Sequence, residues 1–260
     1  MSVIRRLAVT VAVRLWLPAA VVAAWWGFSA HSSSVYFPPL QTILVTFQHD
    51  WLFRLARRDL VPSVQDFIIG FLLAVVAGLI AGIAIAQSRW LRRAVLPYVH
   101  FLRSIPPPAL LPFALVVIGV GTSMKVSVIA LGAVWPTMLN TVDGIKGIEP
   151  RLSDVAAVYR LPRRYRLRYV TLPAASPQIF AGMRTTLQIS IILIVVSEMV
   201  ASTGGIGFYV LQSEQSFSVA QTWAGTILLG LLGYLANAAF STVESRALRW
   251  QTDQRLRDRT

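Results

Sequence analysis

Long apolar runs alternate with short basic stretches along this chain. The cleanest run, positions 67–86 (FIIGFLLAVVAGLIAGIAIA), has no polar side chain. About 20 mainly apolar residues are what a helix needs to cross roughly 30 Å of hydrocarbon while satisfying its own backbone. Further runs lie at 7–30, interrupted mainly by Thr10, Arg14 and Pro18, and at 105–121 and 126–144, with Pro112 and Pro136 inside them. The last two are 179–202 and 220–242. The pattern predicts an all-α membrane protein with six transmembrane helices. The first run has some features of a cleaved leader, with Arg5 and Arg6 before it and Phe28-Ser29-Ala30 at its end. Arg14 breaks its apolar stretch, and Trp25 and Trp26 stand near its far end as interfacial aromatics do, which favours a retained span.

Composition agrees with that class. Of 260 residues, 55% are hydrophobic and only 13% charged, with a mean hydropathy of +0.62; a soluble domain carries about 25% charged residues. The net charge of +13 raises nucleic acid as a partner, but its distribution answers otherwise. With a cytoplasmic N-terminus, the outer segments hold Arg54, Arg57, Arg58 and Lys125, and the inner ones hold the other 20 of 24 basic residues. Basic residues accumulate in cytoplasmic loops, where they meet anionic lipid. This places both termini inside, predicts membrane lipid as a partner and makes nucleic acid unnecessary. The outer arginines share their loop with Asp50 and Asp59, as on a short amphipathic surface segment, and 246–260 reads as a basic cytoplasmic end. The absence of cysteine excludes disulfides and thiolate metal sites.

One inner loop, 145–176, is long and has a periodicity of its own. It carries seven basic residues, five of them Arg160, Arg163, Arg164, Arg166 and Arg168, against Glu149 and Asp154, a net charge of +5. Pro150 is suited to a first helical position. Leu152, Val155, Ala156 and Tyr159 follow at i, i+3, i+4, i+7, giving one apolar face. Pro162 predicts a bend at Leu161, and a second short helix over 163–170 is expected to stop at Leu172-Pro173. Physics leaves two uses open: a basic loop lying on lipid, or an element whose apolar face docks in a groove of another cytoplasmic protein.

The motif Asp154-Val155-Ala156, then Arg160, then Val170-Thr171-Leu172-Pro173 resembles the EAA loop of binding-protein-dependent ABC importer permeases. That loop runs Glu-Ala-Ala, three residues, Gly, nine residues, Ile-x-Leu-Pro. SIPPPALLPFALVVIGVG, PTMLNTVDGIKGIEP and PQIFAGMR with VVSEMVASTGGIG are similar to the nitrate/sulfonate/taurine branch, and the resemblance covers nearly the whole chain, most clearly from Phe37 onward. It implies the type I ABC importer permease fold, with 145–176 as a cytoplasmic two-helix coupling loop. Asp154, Val155, Ala156, Ala157, Tyr159, Arg160, Leu161, Val170, Leu172 and Pro173 would then be the coupling residues. It also implies a bacterial inner membrane, a second permease copy, two ATP-binding cassette subunits and an extracytoplasmic solute-binding protein. ATP and Mg²⁺ would sit on the cassette partner, with no cofactor on this chain. Sulfonates, taurine or nitrate are the implied cargo, although related permeases carry uncharged or cationic pyrimidine precursors. Asp154 for Glu shortens the reach. Arg160 for Gly is a larger departure: a positive φ there would cost about 1–2 kcal/mol, unless Pro162 makes the bend instead.

The rest of the chain offers a path rather than chemistry. A phosphate-binding loop needs a glycine-rich turn ending in Lys-Ser or Lys-Thr; the two lysines, Lys125 and Lys146, precede Val126 and Gly147. His31, His49 and His100 are scattered. Polar groups inside spans are costly and mark function or pairing. In the fifth run these are Gln188, Ser190, Ser197 and Glu198, with Ile191 and Val195 continuing a helical face from Gln188. That face lines a pore or packs against a neighbour, and Glu198 is a path residue or a structural hydrogen-bonding group. Asn140 and Asn237 are expected to bond between helices, and Gly78 and Gly82 to mark a close helix contact. A stand-alone channel or a membrane enzyme is the alternative, weakened by the docking loop and the missing catalytic cluster.

Overall fold

The computed structural model describes residues 3–30, 32 and 34–250, without the side chains of 3–12, 14, 15 and 153. Arg14, His31 and the basic tail past Trp250 therefore lie outside what is described. The chain is helical throughout, with no strand among the described residues. Helix α1 (Val3–Ser29) and α2 (Leu40–Phe47) lead into two π-helical stretches, Gln48–Arg54 and Ala56–Leu60. Then come α3 (Val61–Gln87), α4 (Arg89–Leu102), a 3₁₀ turn at Pro107–Ala109, α5 (Leu110–Ile118) and α6 (Thr122–Lys146). The loop contributes α7 (Pro150–Val158), α8 (Arg163–Arg166) and a π turn at Leu167–Thr171. Last are α9 (Leu172–Ala201), α10 (Ile206–Gln215) and α11 (Val219–Ala247).

Four helical stretches among the described residues are long and apolar enough to cross a bilayer: Ala56–Gln87, Thr122–Lys146, Arg163–Ala201 and Val219–Ala247. In place of one straight helix over 105–121 there is a bent pair, Arg89–Leu102 and Pro107–Ile118, at 80° to each other. Pro106, Pro107 and Pro108 cause this: three successive residues without an N–H cannot continue a helical ladder. Together the two bent segments are as long and apolar as one further span, broken at the prolines.

α6 is the centre, packed on α3 along one side and α9 along the other. The buried residues of α3 are Ser63, Asp66, Gly70, Ala74, Gly78, Gly82 and Ile85, one stripe at steps of three and four. In a bilayer, helices have no hydrophobic gain from meeting each other, so contact depends on close approach and hydrogen bonds. Both are present. A Cβ added to Gly82 would lie 2.6 Å from Thr141 Cβ and 2.7 Å from the Met138 carbonyl oxygen. Across the other interface Thr137 and Thr186 hydroxyls are 2.8 Å apart, and Gln178 donates to Asn140 at 2.6 Å. Asn140 thus bonds between helices as expected, whereas Asn237 is exposed on α11. α11 is held more loosely, by α10, by α2 and by an Arg184–Glu244 ion pair to α9.

This packing makes Gly82 intolerant of a single methyl. Gly82→Ala should lower stability by about 1–3 kcal/mol, read as a lower Tm in detergent. Gly230→Ala, with nothing within 4 Å of the new Cβ, should leave Tm unchanged or raise it.

Candidate functional site

Two regions carry polar chemistry: the 145–176 loop and the opposite end of the α3–α6–α9 bundle. In the loop, Glu149 caps α7 in an extended conformation and Pro150 takes its first turn. The helix ends in a Schellman turn: Leu161 N–H donates to the Ala156 carbonyl at 3.1 Å, and Arg160 N–H to Ala157 at 3.0 Å. That geometry puts Arg160 at φ +48°, in the left-handed region. The glycine-type turn is therefore kept, and arginine occupies it at a cost of about 1–2 kcal/mol; Pro162 prevents the helix from continuing but does not replace the turn.

Of the apolar stripe on α7, Ala156 alone is buried, while Leu152, Val155 and Tyr159 are exposed, Tyr159 to 75%; Val158, outside the stripe, is exposed to 80%. Asp154, Ala157, Arg160 and Leu161 are exposed beside them, so the helix presents a greasy face within a charged rim that its own chain leaves bare. The second half of the loop departs from expectation. Leu172-Pro173 does not stop the helix. Pro173 lacks an N–H, and the chain widens by one π turn in which Leu172 N–H bonds the Leu167 carbonyl. It then runs on as a helical stretch from Arg163 to Ala201. Val170 and Leu172 are partly buried in this junction and Pro173 is exposed.

At the other end of α9, Glu198 is 1% exposed. Its carboxylate accepts from the Ser63 hydroxyl at 2.6 Å and from the Gly207 N–H at 2.9 Å. Lys125, expected in a loop, is buried in the first turn of α6, with Nζ 2.5 Å from Asp66 Oδ2 and 3.7 Å from Glu198 Oε1. No aligned hydrogen-bond donor reaches Asp66 Oδ2, so the ammonium is its ion-pair partner without being a well-directed donor. One lysine thus bridges carboxylates on α3 and α9. The turn after α9 is tied to the same group: Ile206 N–H donates to Ser63 Oγ at 3.1 Å and Gly205 N–H to Asp59 at 2.8 Å. Gly205 has φ +106° and its Cα faces the Glu198 carboxylate, so no side chain fits there.

Asp50 and Asp59 do not pair with the neighbouring arginines of their segment. Both are buried, and Asp50 accepts from the Tyr209 hydroxyl at 2.6 Å. Burial, and then the Asp50 carboxylate, push the Tyr209 hydroxyl above its usual range, so it stays a donor at all ordinary pH. Asp59, Ser63 and Asp66 stand at i, i+4, i+7, a spacing that puts them on one helical face and marks a polar seam; Lys125 was missed because an isolated lysine between apolar runs reads as a loop residue.

Beside this cluster a cavity of about 730 Å³ opens between α3, α9 and α11. Ile191, Val195 and Glu198 line it, together with side chains such as Phe67, Phe71 and Phe240, and its walls are almost wholly hydrocarbon. Gln188 is not in its lining but on the exposed side of α9, with Thr185 and Ile192. Ser190 and Ser197 are buried, and their hydroxyls donate to carbonyls of their own helix, Thr186 at 2.8 Å and Ile194 at 2.8 Å. The structure thus separates the fifth-span residues into three settings. Among the described residues, no three His, Asp or Glu side chains stand together as a metal site requires.

Residues 74–249 match the family described as the binding-protein-dependent transport system inner membrane component. The chain belongs to this family. It is a transport permease, and its membrane is the inner one. It is 31% identical over 240 residues to the "Putative aliphatic sulfonates transport permease protein SsuC" of Bacillus subtilis (strain 168), covering 91% of this chain and 87% of that protein. It is 33% identical to the nitrate import permease protein NrtB of Leptolyngbya laminosa, over 73% of this chain and 68% of that one. The fold is similar to the MetNI methionine ABC transporter in inward facing conformations, with a TM-score of 0.65 at 23% identity, over 76% of this chain and 98% of that one. The permease fold expected from the loop motif is thus the fold observed.

Removing one partner of a buried ion group leaves the others uncompensated, typically at 3–5 kcal/mol. Lys125→Met should therefore strongly lower the Tm of the purified permease. A drop of less than about 1 kcal/mol would mean that Asp66 and Glu198 are hydrated rather than paired.

Proposed function

We propose that this permease forms the membrane path of an ATP-driven importer for a small anion such as a sulfonate, taurine or nitrate. Two copies assemble with two ATP-hydrolysing subunits and an extracytoplasmic binding protein. Both termini and the 145–176 loop lie in the cytoplasm, which the distribution of basic residues supports. ATP and Mg²⁺ belong to the cassette partner, since this chain has no Lys-Ser or Lys-Thr pair for a phosphate loop. The substrate class rests on the relatives' names.

The observation that carries the reading is mechanical. The bare apolar face of α7 is joined, through one tight turn, to a helical stretch that runs from Arg163 to Ala201. A partner gripping α7 moves the loop end of α9, and α9 passes that motion toward Glu198 and the tied turn at Gly205–Gly207. A flexible loop would dissipate it. Rigid-body rocking around a central path is the common transporter solution. The hydrocarbon-lined cavity is a poor place for an anion, and an unneutralised carboxylate beside it would repel one. The exposed stripe of α9 with Thr185, Gln188 and Ile192 is the better wall for the path, and Glu198 holds the helices in register.

Four substitutions test these roles. Val155→Asp and Tyr159→Asp should abolish co-purification of the ATP-hydrolysing subunit, while Arg160→Gly should preserve it and raise stability by roughly 1 kcal/mol. Loss of the partner on Arg160→Gly would make the arginine a docking contact. Glu198→Gln keeps one acceptor for the Gly207 N–H and turns its amide NH2 toward Ser63 Oγ, whose proton can go to the Asp59 carbonyl instead, so it should keep at least about half of transport. Complete loss in a normally assembled complex would place the carboxylate in the path.

A further inference from the structure

Helix α4 is the one strongly two-sided element that the transport reading does not use. Its 14 residues reach roughly 21 Å, too short to cross a bilayer. It turns 80° away from the segment that follows, so it does not continue that segment's direction. It packs at the end of the bundle from which the 145–176 loop leaves. Leu91, Val95, Leu96 and Val99 pack there against Ile85, Met138 and Val142, fixing how the helix is rolled.

That roll presents two further faces outward. Arg89, Arg93 and His100, with Arg103 just past the helix, recur at i, i+4, i+11 and i+14 and are all exposed, with Arg92 at their edge. No Asp or Glu occurs between Asp66 and Asp143, and among the described residues none of these arginines has a carboxylate within ion-pair distance. Beside the basic edge stand Trp90, 77% exposed, and Phe101, 70% exposed, with Ala94 and Pro97 between them. Water would tolerate the arginines but not the bare indole and phenyl rings; hydrocarbon would take the rings but not four guanidinium groups. Only the boundary between them suits both faces at once.

We infer that α4 is an interfacial anchor whose arginine edge binds the headgroups of anionic phospholipid while Trp90 and Phe101 enter the acyl boundary. A guanidinium recognises a phosphate diester by paired, charge-assisted hydrogen bonds, and arginines spaced along one edge can engage neighbouring headgroups. The absence of acidic residues over this whole segment supplies the charge complementarity. Because α4 packs on α3 and α6, the bound lipid would fix the height of the bundle's loop end in the membrane.

The test uses the full-length chain in bilayers of phosphatidylcholine, probed with spin-labelled phosphatidylglycerol and spin-labelled phosphatidylcholine. The wild type should hold the anionic lipid in preference to the neutral one. Arg89→Gln/Arg93→Gln/Arg103→Gln should reduce that preference by about fivefold or more, and the matching Arg→Lys triple should restore most of it. Equal affinity for the two lipids in the wild type, or an unchanged preference in the Gln triple, overturns the proposal. Should the Gln triple fail to fold, a benzophenone side chain at Phe101 in the otherwise unaltered permease decides it. Phospholipid adducts support the anchor, and adducts only with another polypeptide in the assembled transporter overturn it.

Discussion

Close backbone approach around α6 is what the rest of this permease depends on. α3 offers glycine at positions 70, 78 and 82, and α9 offers Gly182, so α6 lies against peptide backbone and short side chains on both flanks. In hydrocarbon this contact area and the threonine and amide hydrogen bonds replace the hydrophobic drive that would join the same helices in water. The far end is closed differently. Lys125 takes one carboxylate from each flanking helix, with Ser63 linking the group to the next turn. A buried group paired this closely rigidifies what it joins, and loosening any member exposes the rest to a low dielectric.

Rigidity at that end gives the loop its mechanical meaning. In the proposed coupling, force applied at α7 would meet a Schellman turn, a single π turn and then unbroken helix. The left-handed arginine at position 160 fits this picture: the turn takes a left-handed residue although arginine carries strain there, and the direction in which α7 leaves the turn sets where its apolar face points. The adjoining proline works in the same sense, since Leu161 before Pro162 is kept out of the helical region and the two helices cannot merge.

Much of this was legible in the sequence and some was not, for physical reasons. The 67–86 run, the Gly78 and Gly82 contact and the apolar stripe on α7 all follow from periodicity, which local spacing fixes. The straight helix read over 105–121 ignored three consecutive prolines, whose missing donors force the bend. Leu172-Pro173 reads as a stop because proline ends most helices, yet a π turn accommodates it. The candidate site was legible only in part. Glu198 announced itself as a carboxylate in an apolar run, but its partners Ser63, Lys125 and Gly207 come from other segments, and no local pattern pairs them. Asp50 and Asp59 looked like solvated companions of three arginines; tertiary contacts with Tyr209 and Gly205 bury them instead.

The most direct measurement of the coupling claim is a photo-crosslinking side chain placed at Val158, the most exposed apolar position on α7, in the assembled transporter in its native membrane. The account predicts a covalent adduct with an ATP-hydrolysing subunit, with a yield that changes when ATP is added. Adducts with phospholipid alone, unchanged by ATP, would contradict it.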